Sequence, residues 1–215
     1  MAMEQTPLAL FDFDGTLIPG DSIVAFVGYA RRKGALSLGG YGAVLGQTAR
    51  YLLGGMTDAE IKTRSLRFLT GLTPRQRDDL ASGFVRDCLL PKVYRDGQNE
   101  IQRQKREGRL AVLVSASTDN YMRYVADALG TDALLCTPIE ADGSVKRNCK
   151  GEEKARRVLE WLDENGIAAD WEQSWAFGDS KSDAPMLRLC GHPVLVNPKK
   201  ALRRALPDGK TVSWQ

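Results

Sequence analysis

Apolar residues in this chain gather in short runs at 8–11, 110–114, 133–139, 174–177 and 194–196, each stopping at a polar residue. Runs this short, flanked by turn residues, predict strands buried on both faces. Between them the spacing changes. Tyr121, Val125, Ala128 and Leu129 recur at helical intervals, as do Ala155, Val158, Leu159 and Leu162, and Gly130 and Gly166 close the two predicted helices. Strand alternating with helix predicts an α/β protein with a doubly wound parallel sheet, a Rossmann-like core.

One stretch breaks the alternation. Residues 20–91 read as helix after helix with no convincing strand, so the core is expected to comprise 1–19 and 92–215, with a helical-bundle cap domain inserted at 20–91. Ser22 is the expected cap of a helix reaching about Lys33, and Thr57–Glu60 and Thr73–Gln76 are capping boxes, the second with Pro74 at the first helical position. The segment 35–56 is apolar and glycine-rich, interrupted by Gln47 and Arg50, and reads as a buried or groove-lining helical segment. Further on, Ser117 or Thr118 is the expected cap of the following helix, and 141–144 reads as a hairpin turn into Val145.

Polar residues collect where the predicted strands end. Asp12 and Asp14 follow the first strand around Gly15 and Thr16, Ser115 follows the second, Lys150 opens a helix, and Asp179 and Asp183 follow Gly178. Ligands of doubly wound sheets bind at the carboxyl ends of strands. An ionised carboxylate at the end of a buried strand is costly unless paired or bound to a cation, and hard cations take oxygen ligands. Ser115 between a strand and a helix start suits an anion, because free N–H groups and the helix dipole point there.

Composition narrows the alternatives. The 215 residues are 43% hydrophobic and carry a formal charge of +3, enough for a real core and too little for a nucleic-acid partner. Four scattered cysteines and a single histidine exclude a zinc site and fit a reducing, cytoplasmic setting. The run at 35–56 is not a clean membrane span, though contact with a membrane surface through it stays open. Oligomeric state is not readable.

Asp12-x-Asp14-Gly15-Thr16, then Ser115, then Lys150, then Gly178-Asp179 with Asp183 resembles the haloacid dehalogenase superfamily of phosphotransferases and phosphatases, in the branch containing phosphoserine phosphatase. The resemblance implies a magnesium-dependent phosphomonoester hydrolase acting on a small phosphorylated metabolite through an aspartyl-phosphate intermediate. It assigns Asp12 as nucleophile and Mg2+ ligand, and Asp14 as general acid and base whose backbone carbonyl also binds the metal. It makes Asp179 the remaining carboxylate ligand, with Ser115, the Ala116 N–H and Lys150 gripping the phosphate. Lys154, one helical turn on, is the alternative lysine. Asp183 is either a ligand through water or the group orienting the lysine, the second being preferred. Asp21 and Arg64, or Arg67, stand near positions that read the substrate in that branch. Ser115-Ala116-Ser117 replaces the branch's Ser-Gly-Gly, and Ser182 stands where it has Asn. The substrate therefore stays open. The alternatives are a lipid phosphate such as phosphatidylglycerophosphate, transfer to an acceptor alcohol, and a non-catalytic binding protein on the same fold.

Overall fold

The computed structural model describes residues 5–215. Strands β1 (Thr6–Phe11), β2 (Leu110–Thr118), β3 (Ala133–Thr137), β4 (Ala169–Gly178), β5 (His192–Val196) and β6 (Lys210–Val212) form one sheet in the order β3-β2-β1-β4-β5-β6. Every pairing is parallel. The chain winds outward in one direction from β1 to β3 and in the other from β4 to β6, so the switch point lies between β1 and β4. Phe11 and Phe177 are in register there, with rings stacked at 4.5 Å. Asp12 and Asp179, which follow these strands, therefore emerge side by side.

Strand alternation divides the core into two layers. Leu8 and Leu10 of β1 pack with Val112, Val114, Ala176 and Leu195 against α7 (Glu152–Glu164) and α8 (Ala184–Leu187). Ala9 and Phe11 face the other way, with Ala111, Leu113 and Phe177, against α5 (Arg95–Arg106) and α6 (Asp119–Leu129). A last short helix, α9 (Lys200–Ala205), leads to β6, an edge strand absent from the sequence reading because its residues Lys210, Thr211 and Val212 show no apolar run.

The stretch between β1 and α5 is helical, as its capping signals predict: α1 (Ser22–Arg32), α2 (Leu38–Leu52), α3 (Asp58–Leu66) and α4 (Pro74–Phe84). Both capping boxes form. Phe26 of α1, Phe84 of α4 and Tyr121 of α6 meet with centroids 5.1 to 5.3 Å apart, fastening this insert to the core. Each such aromatic pair adds about 0.5–1.5 kcal/mol beyond its burial.

Four local expectations need correcting. Asp21, not Ser22, caps α1, its carboxylate accepting from the Ile23 and Val24 N–H groups, while Ser22 is fully buried. In the segment 35–56 Leu36 is buried but the helix that follows is not: α2 has no buried residue, and Leu38, Leu45 and Leu52 are all more than half exposed. Tyr41 and Val44 are half-buried against the core cluster, so what α2 buries is the edge of the stripe these leucines follow. Neither Ser117 nor Thr118 caps α6 with its side chain. Residues 141–144 turn through Glu140 and Ser144 without a strand on either side. Among the described residues no helix is long and apolar enough to cross a membrane.

Candidate active site

Asp12 begins where β1 ends, and its own N–H still donates to the Phe177 carbonyl at 3.0 Å. The chain then turns through Gly15 at φ +87°, where a Cβ would collide with the Asp179 carboxylate. Gly178 makes the same allowance, since a Cβ on it would stand 2.7 Å from that of Asp183. Two glycines thus let the acids approach. Thr16 Oγ1 donates to Asp12 Oδ2 at 2.8 Å. The other oxygen, Oδ1, accepts from Lys154 Nζ at 2.5 Å, and the same ammonium reaches Asp183 Oδ1 at 2.7 Å.

The lysine that meets Asp12 is therefore Lys154, and the expectation of Lys150 is corrected. Lys150 lies before Gly151, outside α7, and its Nζ pairs with Asp58 of the insert at 2.9 Å near the surface. Lys154 sits in the first turn of α7 on the same stripe as Val158 and Leu162, which face the core, so its side chain is driven inward. Asp183 is committed on both oxygens, its Oδ2 accepting from the Ser180 N–H at 2.9 Å and the Ser180 hydroxyl at 2.8 Å. That arrangement orients a lysine.

Burial shapes the charges here. It pushes the Asp12 carboxyl up to about 7, with Asp183 adding to the rise against the pull of Lys154. Burial also opposes the charge on Asp183, but Lys154 and the Ser180 donors outweigh it and hold that carboxyl below its ordinary range. Lys154 itself is held above the usual lysine range because Asp12 and Asp183 overcome its own burial.

Asp14 stands beside this group in a nest of hydroxyls. The Ser22 N–H donates to its Oδ1 at 2.8 Å, the Ser22 hydroxyl to its Oδ2 at 3.0 Å, and Ser117 Oγ donates to Oδ2 as well. Tyr121 Oη closes the nest 2.9 Å from Ser22 Oγ. Burial, reinforced by Asp21, still lifts the Asp14 carboxyl to about 6 against these donors. Ser115, where the regular ladder of β2 breaks off after Val114, is fully buried, and its Oγ accepts from the Ser117 N–H at 3.0 Å, which leaves its own proton to donate.

Asp12, Asp179 and Asp183 each offer a carboxylate oxygen, all within 4.8 Å of one another. The set is buried, all-oxygen and anionic, the donor chemistry of a hard divalent cation. Asp179 Oδ2 is also held by Lys199 Nζ at 2.6 Å, while burial pushes the Asp179 carboxyl above its ordinary value.

At the rim, α3 leans onto the end of β2. Asp58 takes Lys150 on one oxygen and the Tyr51 hydroxyl on the other. Lys62, one turn further along α3, reaches down to the Ala116 carbonyl and Asn148 Oδ1, both at 2.5 Å. Arg64 and Arg67 are exposed and reach no site group, and Asp21 is occupied as a helix cap. Sequence reasoning missed Ser22, Lys62 and Lys199. Only Lys62 left a signal, four residues after Asp58 and so on the same helical face. Ser117, expected with Thr118 as a candidate cap of α6, instead turns its hydroxyl to Asp14.

A family described as haloacid dehalogenase-like hydrolase matches residues 9–188. A histidinol-phosphatase of Neisseria meningitidis serogroup C is 27% identical over 219 residues, covering 96% of each chain. A protein of unknown function from Bordetella pertussis Tohama I superposes with a TM-score of 0.87 at 24% identity, covering 97% of this chain and 99% of that one. A substrate-bound phosphoserine phosphatase shares the fold at a TM-score of 0.66 and 19% identity, over 94% of this chain and 91% of its own.

Proposed function

Because the chain belongs to the haloacid dehalogenase-like hydrolases, we propose that it hydrolyses a small phosphomonoester with magnesium, using Asp12 as nucleophile. The observation that carries this reading is the convergence of Asp12, Asp179 and Asp183 on one point with Lys154 held between two of them.

A phosphate monoester dianion repels nucleophiles, so a site must neutralise it and align the attacking oxygen. Asp12 and Asp179, with the Asp14 carbonyl, would hold Mg2+, which supplies charge neutralisation and fixes the phosphate. Lys154, the Ser115 hydroxyl and the Ala116 N–H add donors to the phosphate oxygens. An Asp12 oxygen attacks phosphorus, the bond from phosphorus to the alcohol oxygen breaks, and Asp14 gives that oxygen its proton. A water then attacks the aspartyl phosphate, passes its proton to Asp14, and phosphate leaves with Asp12 restored. A carboxyl raised to about 6 can hold and release a proton near neutral pH. Residues 20–91 act as a cap over this chemistry and choose the alcohol.

Phosphoserine and histidinol phosphate are the first substrates to try, since the similar proteins bear those names. The exposed Leu38, Leu45 and Leu52 on the insert favour a second reading, a lipid phosphate. Purified protein with Mg2+ should release free phosphate from small phosphomonoesters, and replacing Asp12 by Asn should stop it. Higher activity on a lysolipid phosphate would favour the second reading, phosphate passed to added alcohols would mean a transferase, and no turnover of any ester would refute hydrolysis.

A further inference from the structure

The rim holds a cation whose charge the mechanism above does not use. Lys62 is partly buried on α3, and its ammonium contacts two neutral oxygens, the Ala116 carbonyl and Asn148 Oδ1. Among the described residues it has no carboxylate within ion-pair distance, whereas Lys150 at the rim and Lys154 and Lys199 in the site all do. Drawing an ammonium out of water without a counter-charge is costly. Of its two acceptors the Ala116 carbonyl has a second donor, the Thr137 hydroxyl at 2.7 Å. A residue kept at such cost implies an anion that comes and goes.

The position says which anion. Ala116 directly follows Ser115 in β2, where the ladder to β3 is interrupted between Val114 and Thr118. An ammonium on the Ala116 carbonyl is therefore held by the same short irregular segment whose Ser115 hydroxyl and Ala116 N–H are assigned to the phosphate. We propose that Lys62 is a phosphate-binding residue supplied by the insert, meeting from above an oxygen of the same phosphoryl group that Lys154 and Ser115 hold from below. Its third proton is the donor. The contact couples phosphate binding to seating of α3 on the core, which also rests on the Val145 N–H to Thr63 Oγ1 bond at 2.9 Å. Burial holds the Lys62 ammonium down to about 8, so it is charged at neutral pH and is stabilised further when a dianion arrives.

This inference rests on the phosphatase reading, and one set of measurements separates their failures. Hydrolysis of p-nitrophenyl phosphate with Mg2+ is followed with inorganic phosphate as competitive inhibitor, for the native protein, Lys62→Met, Lys62→Arg and Thr63→Val. Loss of one charged hydrogen bond to phosphate should raise the inhibition constant about 10–100-fold in Lys62→Met, and Lys62→Arg should recover most of it. Thr63→Val, which loosens the same helix without touching the charge, should leave it within about threefold. An unchanged constant in Lys62→Met, or an equal rise in Thr63→Val, would overturn the assignment. So would a defect seen with phosphoserine but not with histidinol phosphate or p-nitrophenyl phosphate, because Lys62 would then be reading the carboxylate of the leaving group. If the native protein turns over no ester, it is the phosphatase reading that fails.

Discussion

Two clusters of acids and lysines lie one above the other in this protein and obey different rules. The floor, Asp12, Asp183 and Lys154, is buried, and each group is held by at least two partners. The rim, Asp58, Lys150, Tyr51 and Lys62, joins the insert to the core and is partly open to water. In the floor a lost partner leaves an uncompensated charge in a poor solvent, so geometry and charge are locked together. At the rim water can replace a lost partner, so the same residue types can change with the substrate. Lys150 and Lys154, four residues apart, fall on opposite sides of this divide.

The largest expected contrast is in chemistry. If Asp12 is the nucleophile proposed, Asp12→Asn should lower turnover of p-nitrophenyl phosphate by about 10³-fold or more. Next, Lys154→Met should cost about 10²-fold in kcat/KM, whereas Lys150→Met should change it less than about fivefold. Equal effects of the two substitutions would erase the division between floor and rim. Urea unfolding should show the same order, because breaking the buried pairing of Lys154 costs about 3–5 kcal/mol and loss of an exposed pair about 1 kcal/mol at most.

Metal tests the floor more gently. At a concentration a hundred times its dissociation constant, Mg2+ should stabilise the native protein by about 2.7 kcal/mol, read as a rise in Tm, and Asp179→Asn should remove most of the rise. A Tm indifferent to Mg2+ would mean that Asp12 and Asp179 do not hold a metal.

Smaller still is a pH effect confined to the rim. Burial lowers Lys62 from 10.5 to about 8, with Lys150 adding to the fall and Asp58, Asp21 and Asp14 opposing it. Between those values the unfolded chain binds the proton more often than the folded one, so stability rises with pH across that window. Lys62→Met should therefore be more stable than the native protein at pH 7, with the advantage fading towards pH 10.5. The reverse order at pH 7 would show that the ammonium is stabilising rather than costly. Least of all, Leu45→Gln on the exposed side of α2 should alter stability by no more than about 0.5 kcal/mol.

Much of the fold was legible because burial leaves a period. The runs that became β1, β2, β4 and β5 had only one way to hide both faces, and the two capping boxes had local geometry enough to place α3 and α4. β6 and α2 were harder for the same reason inverted. β6 pairs through its backbone with little apolar side chain to announce it, and α2 is apolar without being buried. Asp12 and Asp179 directly follow strands, Asp14 lies in the turn after β1 and Ser115 follows the regular part of β2, so the sheet's topology brings them together. Lys154 was harder to choose, because the motif names a lysine at the start of a helix and only the phase of α7 says which one turns inward.

What the sequence determined by itself was therefore the parallel sheet, the inserted helices and the set of oxygen donors at the strand ends, since each follows from local spacing and from the cost of burying charge. What the tertiary structure alone decided was pairing across distance. Lys154 meets Asp12 from 142 positions away, Ser22 meets Ser117 across the gap between insert and core, and Lys62 settles on Ala116. Such contacts have no period to read, because they depend on how two packed layers come to rest against each other.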